Sequence, residues 1–183
     1  MTEKEKMLNG EIYKPFIEEL VKDRETAKML CFEYSRLSPE KTEQREAIIR
    51  KLLGKTKKTF LIEPNFYCDY GYNIEIGENF YSNHNLVILD PAKVTFGDNV
   101  FIGPNCGFYT ARHPLNAKER ITFVEDAKPI KVGDNVWFGG NVCVLAGVTI
   151  GENSVIGAGS VVTKDIPANV VAVGNPCKVI RNL

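Results

Sequence analysis

The chain has 183 residues, of which 44% are hydrophobic and 25% charged, as in ordinary globular proteins. Its 23 basic and 23 acidic residues give a net charge of zero, which excludes a broad basic surface for nucleic acid. No apolar run approaches the roughly 18 residues of a membrane span, and the charged residues 1–6 are unlike a signal peptide. Five scattered cysteines without CxxC spacing indicate reduced thiols, so we expect a cytoplasmic protein.

Residues 1–57 are predicted to be helical. Asp23 can cap a helix that runs to about Leu37, and Ser38 can cap a second helix that ends before Gly54. We expect this region to cover one end of the structure that follows, because a repetitive fold needs its exposed ends covered.

An apolar residue recurs every six positions in the last third of the chain. In an α-helix, residues six apart are rotated by about 240°, so no single apolar stripe results. In an extended chain the even spacing keeps one face inward. The repeat therefore predicts an all-β solenoid, a parallel β-helix, over residues 58–167. The repeating positions are Val132, Phe138, Val144, Ile150, Ile156 and Val162.

The repeat is interrupted twice. Phe96 and Ile102 share its phase, but Ile76 does not, which predicts one register slip. A bulge near 90–96 is one explanation of that slip. The pattern then vanishes over about 109–129, and a long loop that leaves a rigid frame is a good place for chemistry. Residues 168–183 are predicted to form a C-terminal tail with a turn at 174–176.

Seven motifs are spread along the chain: LNGEIY at 8–13, CDYGYNI at 68–74, FYSN at 80–83, TARHPL at 110–115, GDNVW at 133–137, GAGSVVTKDIP at 157–167 and GNP at 174–176. In these motifs the chain resembles the hexapeptide-repeat acyltransferases, in particular the maltose and galactoside O-acetyltransferase group. The resemblance implies a left-handed parallel β-helix, with acetyl-CoA as co-substrate, no required metal, and a homotrimer with sites between subunits. It also implies direct transfer of the acetyl group to a hydroxyl of a sugar, with a maltose- or glucose-type acceptor favoured.

Acetyl transfer needs a base for the hydroxyl proton, and histidine suits that task near neutral pH. The chain has two histidines, His84 and His113, and the resemblance implies that His113 is the base. It also implies that Asn83 contacts the reacting region and that Glu125 supports His113. From the residues alone, Glu125 is equally well interpreted as a solvated loop charge. His84 lies beside the motif, and it is better interpreted as a wall or surface residue.

The resemblance places Asp69, Tyr81 and Asn83 at the acceptor. A carboxylate beside an aromatic ring suits a polyhydroxyl ligand. Two departures leave the acceptor open: Pro15 and Pro91 stand where galactoside enzymes carry aspartates.

The coenzyme end is also assigned by resemblance. Small residues let the pantetheine arm approach the backbone, and hydroxyl and cationic groups suit phosphates. The expected positions are Gly140, Ala158, Thr163, Lys164, Lys178 and Arg181.

Other functions remain open. The acceptor could be serine or a xenobiotic, a cysteine could be the nucleophile, or the solenoid could be a non-catalytic scaffold. The γ-type carbonic anhydrases share the fold but bind zinc through three histidine positions. With two histidines, a three-histidine zinc site is excluded, and only a mixed-ligand metal site is left open.

Overall fold

The computed structural model of the protein describes all 183 residues. The four helices are α1 (Glu3–Leu8), α2 (Glu18–Arg36), α3 (Thr42–Leu52) and α4 (Ala117–Arg120). The first nine strands are β1 (Phe60–Ile62), β2 (Phe66–Cys68), β3 (Ile74–Glu75), β4 (Phe80–Ser82), β5 (Leu86–Leu89), β6 (Val94–Phe96), β7 (Phe101–Ile102), β8 (Gly107–Tyr109) and β9 (Ala111–Arg112). The other nine are β10 (Asp126–Ala127), β11 (Ile130–Val132), β12 (Trp137–Phe138), β13 (Cys143–Leu145), β14 (Thr149–Ile150), β15 (Val155–Ile156), β16 (Val161–Val162), β17 (Val170–Val173) and β18 (Lys178–Asn182).

Short parallel strands form three sheets, which are the faces of a solenoid of about six turns. The first face contains β3, β6, β11 and β14, and the third contains β2, β5, β8, β13 and β16. The second face contains β1, β4, β7, β12, β15 and β17, and β18 extends it as an antiparallel edge strand. The predicted all-β solenoid is confirmed.

The six-residue repeat builds the core. All six repeating positions from Val132 to Val162 are buried, as expected for side chains on the inner surface of an extended chain. Four aromatic rings continue this core across the coils, with centroids 5.1, 5.0 and 5.2 Å apart and edge-to-face packing. These rings belong to Phe80, Phe96, Phe108 and Phe138.

Asparagines turn the corner between the first and second faces. Asn79, Asn99, Asn135, Asn153 and Asn169 all have φ between 55° and 61°, a left-handed conformation that asparagine tolerates. Their side-chain amides form a ladder, each donating to the next over 2.9–3.0 Å. The ladder joins neighbouring coils along one edge.

The register slip is real, but the predicted bulge is wrong. In a regular coil, the inward-facing Val144 and Val148 are four positions apart. The equivalent residues Ile88 and Val94 are six positions apart. β6 pairs with β3 and β11 without a register shift, so the two extra residues lie in the corner between the third and first faces. The coil before it has the same extension at residues 69–73.

The helical region is present, but its capping was predicted wrongly. α2 begins at Glu18, and the expected cap Asp23 lies inside it, where its carboxylate accepts hydrogen bonds from Lys4 (2.7 Å) and Tyr72 (3.1 Å). α3 begins at Thr42, after the expected cap Ser38. Packing decides these boundaries, because buried residues of α2 and α3 join the core of the solenoid.

The C-terminal residues 168–183 contain the last two strands. β17 pairs in parallel with β15, and β18 folds back on β17 in antiparallel orientation. The expected turn at 174–176 lies between them. The side chains of β18 are exposed throughout, so this strand forms an accessible edge.

Candidate active site

Three successive loops stack at the corner between the third and first faces. They comprise residues 69–73, 89–93 and 109–129, and we refer to them together as the extended corner. Asp90 in the middle loop accepts hydrogen bonds from the backbone N–H groups of residues 69, 70 and 71, at 3.0, 2.9 and 2.8 Å. Thr110 donates to the carbonyl of Leu89 (2.9 Å) and accepts from the N–H of Ala92 (3.1 Å). The loops therefore hold one another in place.

Asp90 is fully buried beneath this corner. Burial raises the pKa of Asp90 to about 7, although the backbone N–H groups that it accepts from oppose the shift. In the sequence, Asp90 is notable only because it precedes Pro91. In the structure, the carboxylate of Asp90 supports the loop that carries Asp69 and Tyr70.

The longest loop closes on itself and brings two predicted residues together. β9 and β10 pair in antiparallel orientation, and Arg112 forms a 2.5 Å ion pair with Asp126 across them. His113 directly follows β9, and Glu125 directly precedes β10. Nε2 of His113 consequently lies 3.8 Å from Oε2 of Glu125.

A cleft of about 410 Å³ opens in front of this pair. Its size falls in the usual range of ligand sites, about 300–1,000 Å³. Of the predicted site residues, His113, Glu125 and Asp69 line it together. The complete lining is Pro15, Phe16, Arg24, Asp69, Tyr70, His113, Arg120, Phe123 and Glu125.

The segment between α1 and α2 forms one wall of the cleft. Tyr13 pairs with Glu125 through two backbone hydrogen bonds of 2.9 and 3.1 Å, and its hydroxyl donates to Oε1 of Glu125. The ring of Phe16 packs edge-on against that of Phe123, with centroids 5.8 Å apart. The cleft therefore joins residues more than 100 positions apart.

Arg24 of α2 contributes a positive charge to the cleft. Its guanidinium donates to the hydroxyl of Tyr70 over 2.6 Å and to the carbonyl of Pro15 over 2.7 Å. Burial raises the pKa of Asp69, and the positive charge of Arg24 opposes that rise. Burial likewise raises the pKa of Tyr70 to about 12, so its hydroxyl remains protonated at neutral pH.

Asn83 and Tyr81 lie elsewhere in the chain. They line a groove of about 460 Å³ on the second face, together with Phe101 and Trp137. The amide oxygen of Asn83 accepts a hydrogen bond from the backbone N–H of His84 over 2.7 Å. A single chain thus does not bring Asn83 or Tyr81 into the His113 cleft.

The predicted coenzyme residues lie on the later coils. Gly140 and Ala158 occupy equivalent corners between the second and third faces, one coil apart. Thr163 and Lys164 follow β16, and both are exposed. Lys178 and Arg181 belong to β18, where they pair with Val173 and Val171 of β17. None of these three cations lies within 4.0 Å of a carboxylate of the chain.

Sequence reasoning missed most of the cleft walls. The motif at 8–13 includes Tyr13 but gave it no role, and nothing in the local sequence around Phe16 or Arg24 indicates a site, because their partners lie in distant parts of the chain. Pro15 is the exception, since a departure from the family pattern marked its position. For Tyr70, the motif at 68–74 drew attention to the loop but only to Asp69 within it.

Two further features of the structure bear on other functions. No group of three or more His, Cys, Asp or Glu side chains is arranged to hold a metal ion. None of the helices combines the length and apolar character that a membrane crossing requires.

Comparison with known proteins places the chain in a family. Residues 6–57 match the maltose acetyltransferase hexapeptide capping motif, and residues 129–164 match the hexapeptide repeat of succinyl-transferase. The galactoside O-acetyltransferase of Escherichia coli K12 is 44% identical over 98% of this chain and 88% of its own length. The chain belongs to the maltose and galactoside O-acetyltransferase family. It is accordingly an acyltransferase, as the resemblance implied.

Solved structures agree with this family assignment. A maltose O-acetyltransferase from Clostridium difficile 630 superposes with a TM-score of 0.99 at 52% identity, covering 100% of this chain and 98% of its own. A hexapeptide-repeat acetyltransferase from Vibrio cholerae O1 biovar eltor, complexed with acetyl-CoA, superposes with a TM-score of 0.93 at 40% identity. It covers 100% of this chain and 99% of its own. Family members therefore share both the solenoid and the helical region.

Proposed function

We propose that the protein is an acetyl-CoA-dependent O-acetyltransferase that transfers the acetyl group to a hydroxyl of a sugar, with His113 as general base. One observation carries the proposal: His113, Glu125 and Asp69 converge on one cleft of the extended corner. The comparisons supply the reaction class, and the acetyl-CoA complex of the Vibrio relative supports the donor.

His113 supplies the proton transfer. Its side chain is 58% exposed, whereas that of Glu125 is only 12% exposed. An incoming hydroxyl can therefore reach the imidazole, while the carboxylate behind it stabilises the imidazolium that forms. The hydroxyl oxygen attacks the thioester carbonyl as His113 accepts its proton. When the C–S bond breaks, the imidazolium returns the proton to the coenzyme A thiolate.

The cleft walls suit a polyhydroxyl acceptor. Asp69 and Arg24 provide an acceptor and a donor of hydrogen bonds, and the rings of Phe16, Tyr70 and Phe123 provide apolar surface for sugar C–H groups. Pro15 reduces the polar lining, because it contributes no side-chain hydrogen bond where galactoside enzymes, by resemblance, carry an aspartate. The match at Asp69 is what favours a maltose- or glucose-type acceptor, while Pro15 leaves the exact acceptor open.

Acetyl-CoA would lie along the later coils. Small side chains at Gly140 and Ala158 leave room for the pantetheine arm beside the backbone. Thr163, Lys164 and the β18 cations Lys178 and Arg181 would bind the phosphates, since they have no carboxylate partner in the chain.

A homotrimer would complete the site. The outward residues of the first face are polar, namely Glu75, Thr95, Lys131 and Thr149. The outward residues of the second face are apolar, namely Leu61, Tyr81, Phe101 and Trp137, and three of them are about half exposed. Tyr67 and Val87 continue the apolar surface on the third face. Packing the second face of one chain on the third face of the next would bury this surface and bring Asn83 towards a neighbouring cleft.

The test is a thiol-release assay with acetyl-CoA and a panel of glucose, maltose, galactosides, serine and chloramphenicol. We expect acceptor-dependent release of coenzyme A with glucose or maltose, above the rate without acceptor. Mass spectrometry of the product should show one added acetyl group. Turnover with serine or chloramphenicol alone would overturn the sugar assignment, and no turnover with any hydroxyl acceptor would overturn the O-acetyltransferase itself.

A further inference from the structure

Tyr13 is the buried neighbour of the carboxylate in the cleft. Its side chain is 1% exposed, and its hydroxyl donates to Oε1 of Glu125. The two residues also exchange backbone hydrogen bonds of 2.9 and 3.1 Å, so the contact is held at both the main chain and the side chain. This contact joins the N-terminal region to the loop that carries His113 and Glu125.

Glu125 therefore lies between two partners. Oε1 accepts from Tyr13 on the buried side, and Oε2 faces the imidazole of His113 at 3.8 Å on the open side. A glutamate held by one oxygen loses rotational freedom, because turning the carboxylate would break the tyrosine bond. That bond keeps the second oxygen directed at the histidine.

We infer that Tyr13 is a positioning residue for the Glu125–His113 pair, acting on acetyl transfer through the carboxylate without touching either substrate. The inference rests on the proposed function of His113 as base. Burial and the neighbouring Glu125 carboxylate both raise the pKa of Tyr13, so the hydroxyl keeps its proton and remains a donor at neutral pH. The N-terminal region would then take part in catalysis as well as covering the solenoid.

The first test is a double-mutant cycle on turnover with Tyr13→Phe, Glu125→Gln and the double variant. Tyr13→Phe removes only the hydroxyl, and we expect kcat to fall about tenfold, the usual effect of losing one hydrogen bond to a charged group. The KM for acetyl-CoA should stay within about twofold, because the coenzyme residues lie on other coils. In the Glu125→Gln background the same change should alter kcat less than about twofold, since the carboxylate to be positioned is gone.

Tyr34→Phe is the matched control. Tyr34 is comparably buried and does not line the cleft. Its hydroxyl donates to the carbonyl of Ile62 and accepts a hydrogen bond from Arg45 over 3.3 Å. This variant should lose these buried hydrogen bonds and at least as much stability, while kcat stays within about twofold. Tyr13→Leu is a second variant without the hydroxyl.

A second test does not require turnover. Diethyl pyrocarbonate modifies neutral imidazole nitrogens, and mass spectrometry can compare His113 with His84 in the same molecule. Because the positioned carboxylate stabilises the imidazolium, its loss leaves more of the reactive neutral imidazole. We expect Tyr13→Phe and Glu125→Gln to raise the His113/His84 rate ratio similarly at pH 6, by about twofold, with no further rise in the double variant. Tyr34→Phe should keep the ratio of the unmodified protein.

The outcomes separate the two proposals. Coupled effects on labelling, without acetyl transfer to any acceptor, would overturn the proposed function and keep the positioning role of Tyr13. If the effects of Tyr13→Phe and Glu125→Gln on kcat or on the labelling ratio are fully additive, the inference is wrong, because Tyr13 then acts only through folding.

Discussion

The extended corner and the regular coils differ in how the same solenoid turns. At the regular corner between the first and second faces, one asparagine per coil adopts a left-handed conformation, and the amide ladder repeats without change. At the extended corner the loops are longer and unequal, and they carry Asp69, Asp90, His113 and Glu125. Their polar side chains include three of the seven buried polar residues of the chain: Asn73, Asp90 and Thr110. The regular coils provide a rigid frame, and the residues that we propose for the chemistry lie where a coil departs from the repeat.

The largest expected effect is at the extended corner. His113→Ala should lower kcat about 1,000-fold, because it removes a general base. The circular dichroism spectrum and the oligomeric state should not change, since the side chain is exposed. His84→Ala is the control at the corner between the second and third faces and should keep kcat within about threefold. Comparable losses in both variants would contradict a special role for the extended corner.

Asp90 tests the buried support of the extended corner. Its pKa is raised from 3.8 to about 7 on folding, so its contribution to stability is complete below the unfolded pKa and is lost as pH rises through 7. Relative to Asp90→Asn, the unmodified protein should lose about 3 kcal/mol of unfolding free energy between pH 5 and pH 8. Urea unfolding of both proteins at the two pH values measures this difference. Parallel pH dependences would show that Asp90 does not titrate as described.

Asn135 tests the regular corner. Its amide accepts from Asn99 over 3.0 Å and donates to Asn153 over 2.9 Å, and its φ is 59°. Asn135→Ala should lower the unfolding free energy by about 2 kcal/mol, since it breaks the ladder and puts alanine in a left-handed conformation. Asn135→Gly removes only the hydrogen bonds of the ladder, so it should lower the unfolding free energy by about half as much as Asn135→Ala. Neither should change kcat; a large kcat loss would mean that the regular coils also act in the chemistry.

The smallest expected effect concerns the coenzyme end. Lys164→Gln should raise the KM for acetyl-CoA about fivefold at low ionic strength, because a phosphate would lose one exposed cation. The effect should shrink as salt is added, and kcat should stay nearly constant. Lys131→Gln on the first face is the control and should leave KM unchanged. Equal effects of both substitutions would indicate general charge attraction in place of a phosphate site.

Particular residues mark the limit of prediction from sequence. The six-residue repeat predicted the buried positions from Val132 to Val162 because inward orientation follows directly from an even spacing in an extended chain. The slip before Phe96 predicted an irregularity near Pro91, but its form depended on strand pairing. Asp23 satisfied the rule for a helix cap and yet lies inside α2, since Lys4 and Tyr72 provide its partners.

The solenoid, the family and the position of His113 in the irregular loop can all be recognised in the sequence. Repeat spacing and motifs are properties of neighbouring residues, so no folded structure is needed to recognise them. Which side chains share the cleft depends on the tertiary fold. Tyr13, Arg24, Asp69 and Glu125 meet because coil stacking and the return of the N-terminal segment bring distant residues together, and no local pattern encodes such contacts.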